Sequence, residues 1–260
     1  MKHFLFTLLI LSTSLFSCKQ DSKTAATTDA PAPVASETTS AVPGQSSGGL
    51  AVGDQLYVQV PGGLVLRKTP SKDGEKVASA AYDGKALKVM ALPDPANKYV
   101  AEKIGTFEVS GGWVKVQTAD GKEGYLFEGY LSKYAPLIQR AVEDMSLSEQ
   151  YYRSISPAKG PQEALPANPE ATAGYRQLFA DGAKLEFTPY AGGHSECLLL
   201  PAGKMTMQEA LVIFRRVWFG TDKTKAEFKD GLLVESTTEP AQITIESTGG
   251  RLEICYSYAD

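Results

Sequence analysis

Between Val52 and Tyr134 the apolar residues come in short alternating runs, and each is closed by a turn signal before a helix could complete its second turn. Gln55-Leu56-Tyr57-Val58-Gln59-Val60 is followed by Gly63-Leu64-Val65-Leu66-Arg67, then by Val77 to Ala81, which the Asp83-Gly84 turn closes. Ala86-Leu87-Lys88-Val89-Met90 keeps a period of two, the spacing of a half-buried strand. Trp113-Val114-Lys115-Val116-Gln117 leads into Asp120-Gly121 and then Gly124-Tyr125-Leu126-Phe127, a hairpin signal because Asp-Gly suits the left-handed backbone of tight hairpin turns. Many short strands within about 80 residues predict a small β-barrel over residues 52–134.

Three motifs in this stretch carry a family resemblance. Leu64-Val65-Leu66-Arg67-Lys68-Thr69-Pro70-Ser71 has an apolar-x-apolar-Arg strand entering a turn that ends Pro-Ser. Gly112-Trp113-Val114-Lys115-Val116 forms a second motif, and Asp120 to Leu126 with Tyr130-Leu131 forms a closing hairpin and final turn. In this order they resemble the bacterial SH3 domain, with Tyr125 where Trp is frequent. The long stretch Pro93 to Gly111, containing Tyr99 and Phe107, departs from the family's tight hairpin. The resemblance implies an SH3-like barrel that binds a peptide or glycan, peptidoglycan among them. The candidate ligand contacts are Tyr57, Arg67, Tyr82, Trp113, Tyr125 and Tyr130, since aromatic faces stack on such ligands and Arg67 can hold a carboxylate. The alternative is packing: Trp113 as core or rim, and Arg67 covering apolar surface with its stem.

The N-terminus reads as an address. Lys2 and His3 precede an apolar run from Phe4 to Phe16 that ends at Ser17-Cys18, the layout of a secretory signal over residues 1–17. The run is shorter than the roughly 20 residues of a transmembrane helix. Leu15-Phe16-Ser17-Cys18 resembles a bacterial lipobox, which implies lipidation of Cys18 and a membrane anchor. An ordinary secretory signal is the alternative. Residues 18–51 carry no aromatic residue and are rich in Ala, Ser, Thr and Pro, so they cannot bury enough surface to offset their ordering entropy and predict a disordered tether. Lys19 after the Cys resembles the outer-membrane sorting pattern of lipoproteins, placing the chain in a bacterial envelope.

Beyond the first domain, residues 135–169 predict a helical and Pro-rich connector. Leu137, Ile138, Ala141 and Val142 share a helical side, Ser146 with Glu149 suggests a capping box, and Pro157, Pro161, Pro166 and Pro169 read as a linker. Residues 170–260 predict a separate α+β domain of unrecognised family. Asn168-Pro169 opens a helix that reaches Ala180 and is closed by Asp181-Gly182. Strands follow at 184–190 and 195–200. Thr206-Met207-Gln208-Glu209 is a capping box before a helix whose apolar face is Met207, Ala210, Leu211, Phe214, Val217 and Trp218, ended by Gly220. Strands near 227–235, 241–246 and 251–258 complete β-β-α-β-β-β. The expected fold class is therefore mainly β, an SH3-like barrel followed by an α+β domain.

Composition then removes chemistries. With 26 Lys+Arg against 30 Asp+Glu, a net charge of −4, nothing points to nucleic acid. Two histidines (His3, His194) and three cysteines (Cys18, Cys197, Cys255) are too few for most all-protein metal sites, so no metal and no cofactor is expected. Cys197 with His194 invites a cysteine-peptidase reading, but Cys197 lies in a strand pattern with no histidine after it. No His-Glu-x-x-His motif and no phosphate-binding glycine loop occurs. No catalytic residue is therefore assigned. In the last strand Leu252, Ile254, Tyr256 and Tyr258 share one face and Cys255 points to the other, where pairing with Cys197 would protect it from oxidants and contribute roughly 3–4 kcal/mol. Two free thiols are the alternative. The expected function is a non-enzymatic, lipid-anchored envelope binding protein. An envelope adaptor that recognises a protein through residues 170–260 is the alternative, and a cell-wall hydrolase is the third class.

Overall fold

The computed structural model describes residues 49–138, 145–166, 173–219, 225–236 and 240–259. The signal segment, Cys18 and residues 19–48 lie outside these, as do Ala141, Val142, Asn168, Pro169 and Gly220.

The first sheet grows from the short alternating runs. Its chain order is β1 (Gln55–Val58), β2 (Leu64–Arg67), β3 (Lys76–Ala80) and β4 (Leu87–Ala91), then a separate hairpin of β5 (Tyr99–Ile104) and β6 (Phe107–Gly111). It resumes with β7 (Trp113–Gln117), β8 (Glu123–Phe127), a 3-10 turn at Glu128–Tyr130 and β9 (Leu131–Ser132). Alternate residues Leu56, Val58, Leu66, Val89, Val114, Val116 and Leu126 meet inside as its core, with Leu50 packed at the margin. The seven strands run β3-β2-β8-β7-β4-β1-β9, so the ladder is open and the expected barrel is not closed. Closure would require β9 to pair with β3, and β9 has only two residues.

Pro93 to Gly111, which departs from the family's tight hairpin, carries the β5–β6 hairpin. Ile104, Phe107 and Val109 are buried in the core of the second sheet rather than the first. The hairpin turn needs Gly105, whose φ is +59° and whose Cβ would lie 3.0 Å from the Phe228 carbonyl oxygen.

The 135–169 segment is more than a connector. Helix α1 (Leu147–Ile155) begins where Ser146 Oγ accepts the Glu149 N–H at 3.2 Å, and it buries Tyr151 and Tyr152 completely. The Pro-rich stretch after it is pinned rather than free. Prolines lack an N–H but still accept, so Ala180 N–H donates to Pro157 O at 2.9 Å, Lys159 N–H to Leu178 O at 2.8 Å and Leu165 N–H to Gly174 O at 3.0 Å. The short β10 (Glu163–Ala164) lies there.

The second sheet holds eight antiparallel strands in the order β10-β11-β12-β13-β17-β16-β15-β14. They are β11 (Tyr175–Leu178), β12 (Lys184–Tyr190), β13 (Gly193–Leu200), β14 (Lys225–Lys229), β15 (Leu232–Ser236), β16 (Ala241–Thr248) and β17 (Arg251–Ala259). Between β13 and β14 the chain crosses one face as α2 (Met207–Phe214), continued by a π-helical turn at Arg215–Phe219. The capping box is present: Thr206 Oγ1 accepts the Glu209 N–H at 3.1 Å, and Thr206 N–H donates to Glu209 Oε2 at 3.2 Å.

Two expectations for this sheet are corrected. The helix expected up to Ala180 is β11, because Gln177 and Phe179 alternate into the core, and Asp181-Gly182 turns β11 into β12. The single strand expected near 227–235 is a hairpin whose turn, Asp230-Gly231, has φ of +52° and +84°, the double left-handed conformation of a type I′ turn. The β-β-α-β-β-β reading therefore becomes four strands, a helix and four strands. The close approach of β13 to β17 also requires Gly193, where a Cβ would sit 1.9 Å from Tyr258 O.

The seven- and eight-stranded sheets, each with its own core, lie within one compact unit, and the β5–β6 hairpin packs onto the second core. Gln208 of α2 accepts from Ser110 N–H at 3.0 Å and donates to Ser110 O at 2.9 Å. Phe107 packs on Phe228 with ring centroids 5.4 Å apart.

Candidate functional site

The outer face of β7 and β8 follows from their alternation. Val114, Val116, Gly124 and Leu126 point inward, so Trp113, Lys115 and Gln117 face outward beside Phe127, Tyr125 and Glu123 in register. Arg67 pairs with Tyr125 from the other side. One end of this face is closed: Trp113 is only 6% exposed, with Tyr99 at 6.0 Å and Phe127 at 6.1 Å between ring centroids. Tyr130 packs edge-on against Phe127 at 5.3 Å and lies against the second core. Tyr82 takes the Arg216 guanidinium over its ring at 5.5 Å. Tyr57 is on β1, where its hydroxyl donates to Gln55 Oε1 at 3.4 Å.

The structure thus brings Arg67 and Tyr125 together on this face, gathers Trp113 and Tyr130 around Phe127, and leaves Tyr57 and Tyr82 elsewhere. Arg67, Tyr125 and Lys115 form a half-exposed row across three adjacent strands. Arg67 donates Nη1 to Gly74 O at 2.8 Å, which orients its planar guanidinium. Lys115 Nζ lies 2.8 Å from Glu123 Oε2, and that hydrogen bond raises the pKa of the lysine. Two cations flanking an aromatic ring suit a ligand that carries a carboxylate beside an apolar or sugar surface. Lys115 was missed among the candidates, although a hairpin turning at Asp120-Gly121 places it opposite Tyr125.

A second cluster sits between the eight-stranded sheet and the helical segments that carry Ser148 and Trp218. Tyr175 and Phe187 stack at 5.2 Å, Phe187 and His194 at 5.4 Å, and His194 meets Tyr256 at 5.6 Å, which in turn stacks on Trp218 at 5.1 Å. Under this row lies the buried carboxylate of Glu196. It accepts from Ser148 N–H at 3.1 Å, from Ser148 Oγ and from Trp218 Nε1 at 3.4 Å, with His194 Nε2 3.4 Å away. Burial pushes this carboxyl up most strongly, but the hydrogen bonds from His194 and Ser148 outweigh it and the net shift is down. Ser148 donates to the carboxylate and not to the imidazole, the reverse of the order that activates a serine nucleophile. Cys197 is on the opposite face of β13 from His194 and is joined to Cys255 in a disulfide, so His194 cannot generate a thiolate there.

Residues 62–132 match the bacterial SH3 domain. The matched span runs from β2 to β9 and contains Arg67, Tyr125 and Lys115, together with the inserted β5–β6 hairpin. The SH3 match stops short of the eight-stranded sheet. No curated protein and no solved structure matches the chain.

Proposed function

We propose that the chain is a non-enzymatic, lipid-anchored protein of the bacterial envelope whose SH3 domain binds a peptide or glycan of the cell wall through Arg67, Tyr125 and Lys115. The match over residues 62–132 carries the reading, because bacterial SH3 domains commonly bind cell-wall components. The cross-strand row supports it with a cation–aromatic–cation surface fitted to carboxylate-bearing wall peptides. The lipobox-like ending at Cys18 and the tether after it support an anchor that holds the domain within reach of the wall.

The test is retention on purified wall sacculi of a soluble chain starting at residue 19. A fragment cut at 134 would expose Ile104, Phe107 and Val109, so the whole body is used. The expected result is retention that falls about tenfold or more in Arg67→Ala/Tyr125→Ala. No retention above a control protein overturns wall binding. Retention that survives both substitutions overturns this site and moves recognition to the eight-stranded sheet, as an adaptor role requires.

A further inference from the structure

The face of the eight-stranded sheet turned away from α2 carries a cluster that wall binding does not use. Cys197 on β13 and Cys255 on β17 stand directly opposite each other and are half-exposed. Glu253 lies two residues before Cys255 and therefore on the same face, with Oε1 3.8 Å from Cys255 Sγ. One donor atom from each of the three residues falls within 4.8 Å of the other two. Glu246 of β16 stands opposite Glu253 in register, a like-charge pair that repels when nothing lies between. Beside them opens a depression of about 540 Å³ whose rim includes Glu246, Arg251 and Glu253, which gives a hydrated cation a way in.

We propose that this cluster is a redox-controlled site for a borderline-soft divalent cation, zinc foremost, bound by Cys197, Cys255 and Glu253 once the disulfide is reduced. Two thiolates and one carboxylate make a ligand set that zinc accepts, with water as the fourth ligand of a tetrahedron. The two sulfurs would sit about 3.8 Å apart around zinc, a separation that side-chain rotation supplies between directly opposed strand residues. Three negative ligands leave the zinc centre with one net negative charge, and Arg251, two residues before Glu253, lies on the same face to offset it. The chemistry balances with a dithiol as reductant. One of its thiolates attacks a protein sulfur, the S–S bond breaks and a mixed disulfide forms; its second thiolate then closes onto the first, leaving an oxidised dithiol and two protein thiols. Zinc displaces the two thiol protons to solvent as both Zn–S bonds form. The same strands are thus held by a covalent link in oxidising surroundings and by a metal clip in reducing ones.

The test uses the full chain carrying Cys18→Ala, so that only these two sulfurs can report. It is treated with a phosphine reductant and titrated with cobalt(II), a coloured stand-in for zinc. The expected result is a thiolate-to-cobalt absorption band that saturates at one metal per chain, is bleached by zinc and is missing without reduction. Glu253→Gln, which keeps both cysteines, weakens cobalt binding about tenfold or more. The proposal is overturned by the lack of a band in the reduced chain, by a band in the oxidised chain, or by an affinity that Glu253→Gln leaves unchanged. It is equally overturned if far-ultraviolet circular dichroism shows the strands lost on reduction and not regained when metal is added.

Discussion

Replacing Arg215 tests how the β5–β6 hairpin is held to the eight-stranded sheet. Its guanidinium makes two hydrogen bonds to Glu102 of β5, at 3.0 and 3.1 Å, and its Nε lies 2.6 Å from Glu235 Oε1 on β15. Burial alone would pull the Arg215 pKa down, but the two carboxylates outweigh it and keep the group charged. The arms differ in exposure: the Glu235 side chain is 0% exposed and that of Glu102 is 32%. Arg215→Met retains the apolar stem but leaves Glu235 buried without its cation, a change that costs about 3–5 kcal/mol. At about 2–4 °C per kcal/mol for a body of this size, melting falls by roughly 6–20 °C. Glu102→Gln removes only the wetter arm and costs about 1 kcal/mol or less. The double variant Arg215→Met/Glu235→Leu removes the buried carboxylate as well and recovers most of the loss. Thermal and urea unfolding of the four chains measures this. A loss under about 1 kcal/mol in Arg215→Met, or a double variant no more stable than the single, refutes the reasoning.

Two further outcomes follow from the buried groups. Glu196 is held below its ordinary 4.5, so the stability it contributes is present at neutral pH and lost as pH falls through its folded value. Urea unfolding at pH 7 and pH 3 should therefore show a larger acid loss in the unaltered chain than in Glu196→Gln, and equal losses refute it. Trp113→Ala should cost about 3–5 kcal/mol by emptying core volume, whereas Tyr125→Ala should change stability by only about 0.5 kcal/mol. Comparable melting points for the two variants would return Trp113 to the exposed surface.

Turn chemistry is legible in the sequence where Asp-Gly stands between alternating runs. Asp120-Gly121 turns β7 into β8 as expected, and the same dipeptide at 181–182 and 230–231 also makes hairpins. At 230–231 it divides the stretch expected as one strand, and at 181–182 it turns one strand into the next rather than ending a helix. Other signals were partial. Ser146 caps α1 as anticipated, but the Glu149 carboxylate serves Arg153, Gln162 and Tyr175 instead of closing the box; Arg153 is a local partner four residues on, whereas Gln162 and Tyr175 are brought to it only by the fold.

What the sequence determined by itself was local. Alternation set which residues of β7, β8 and β17 share a face, the Thr206–Glu209 box started α2, and the motifs around Arg67, Trp113 and Tyr125 marked a bacterial SH3 domain. Only the tertiary structure decided where the half-apolar pieces went. Phe107 left the SH3 sheet for the second core, α1 became core rather than connector, and Trp113 was covered and Tyr130 turned against the second core, while Arg67, Tyr125 and Lys115 form the half-exposed row. The reason is the range of the forces involved. Backbone dihedral preferences and caps act within a few residues, whereas burial depends on which distant apolar surface is there to be met.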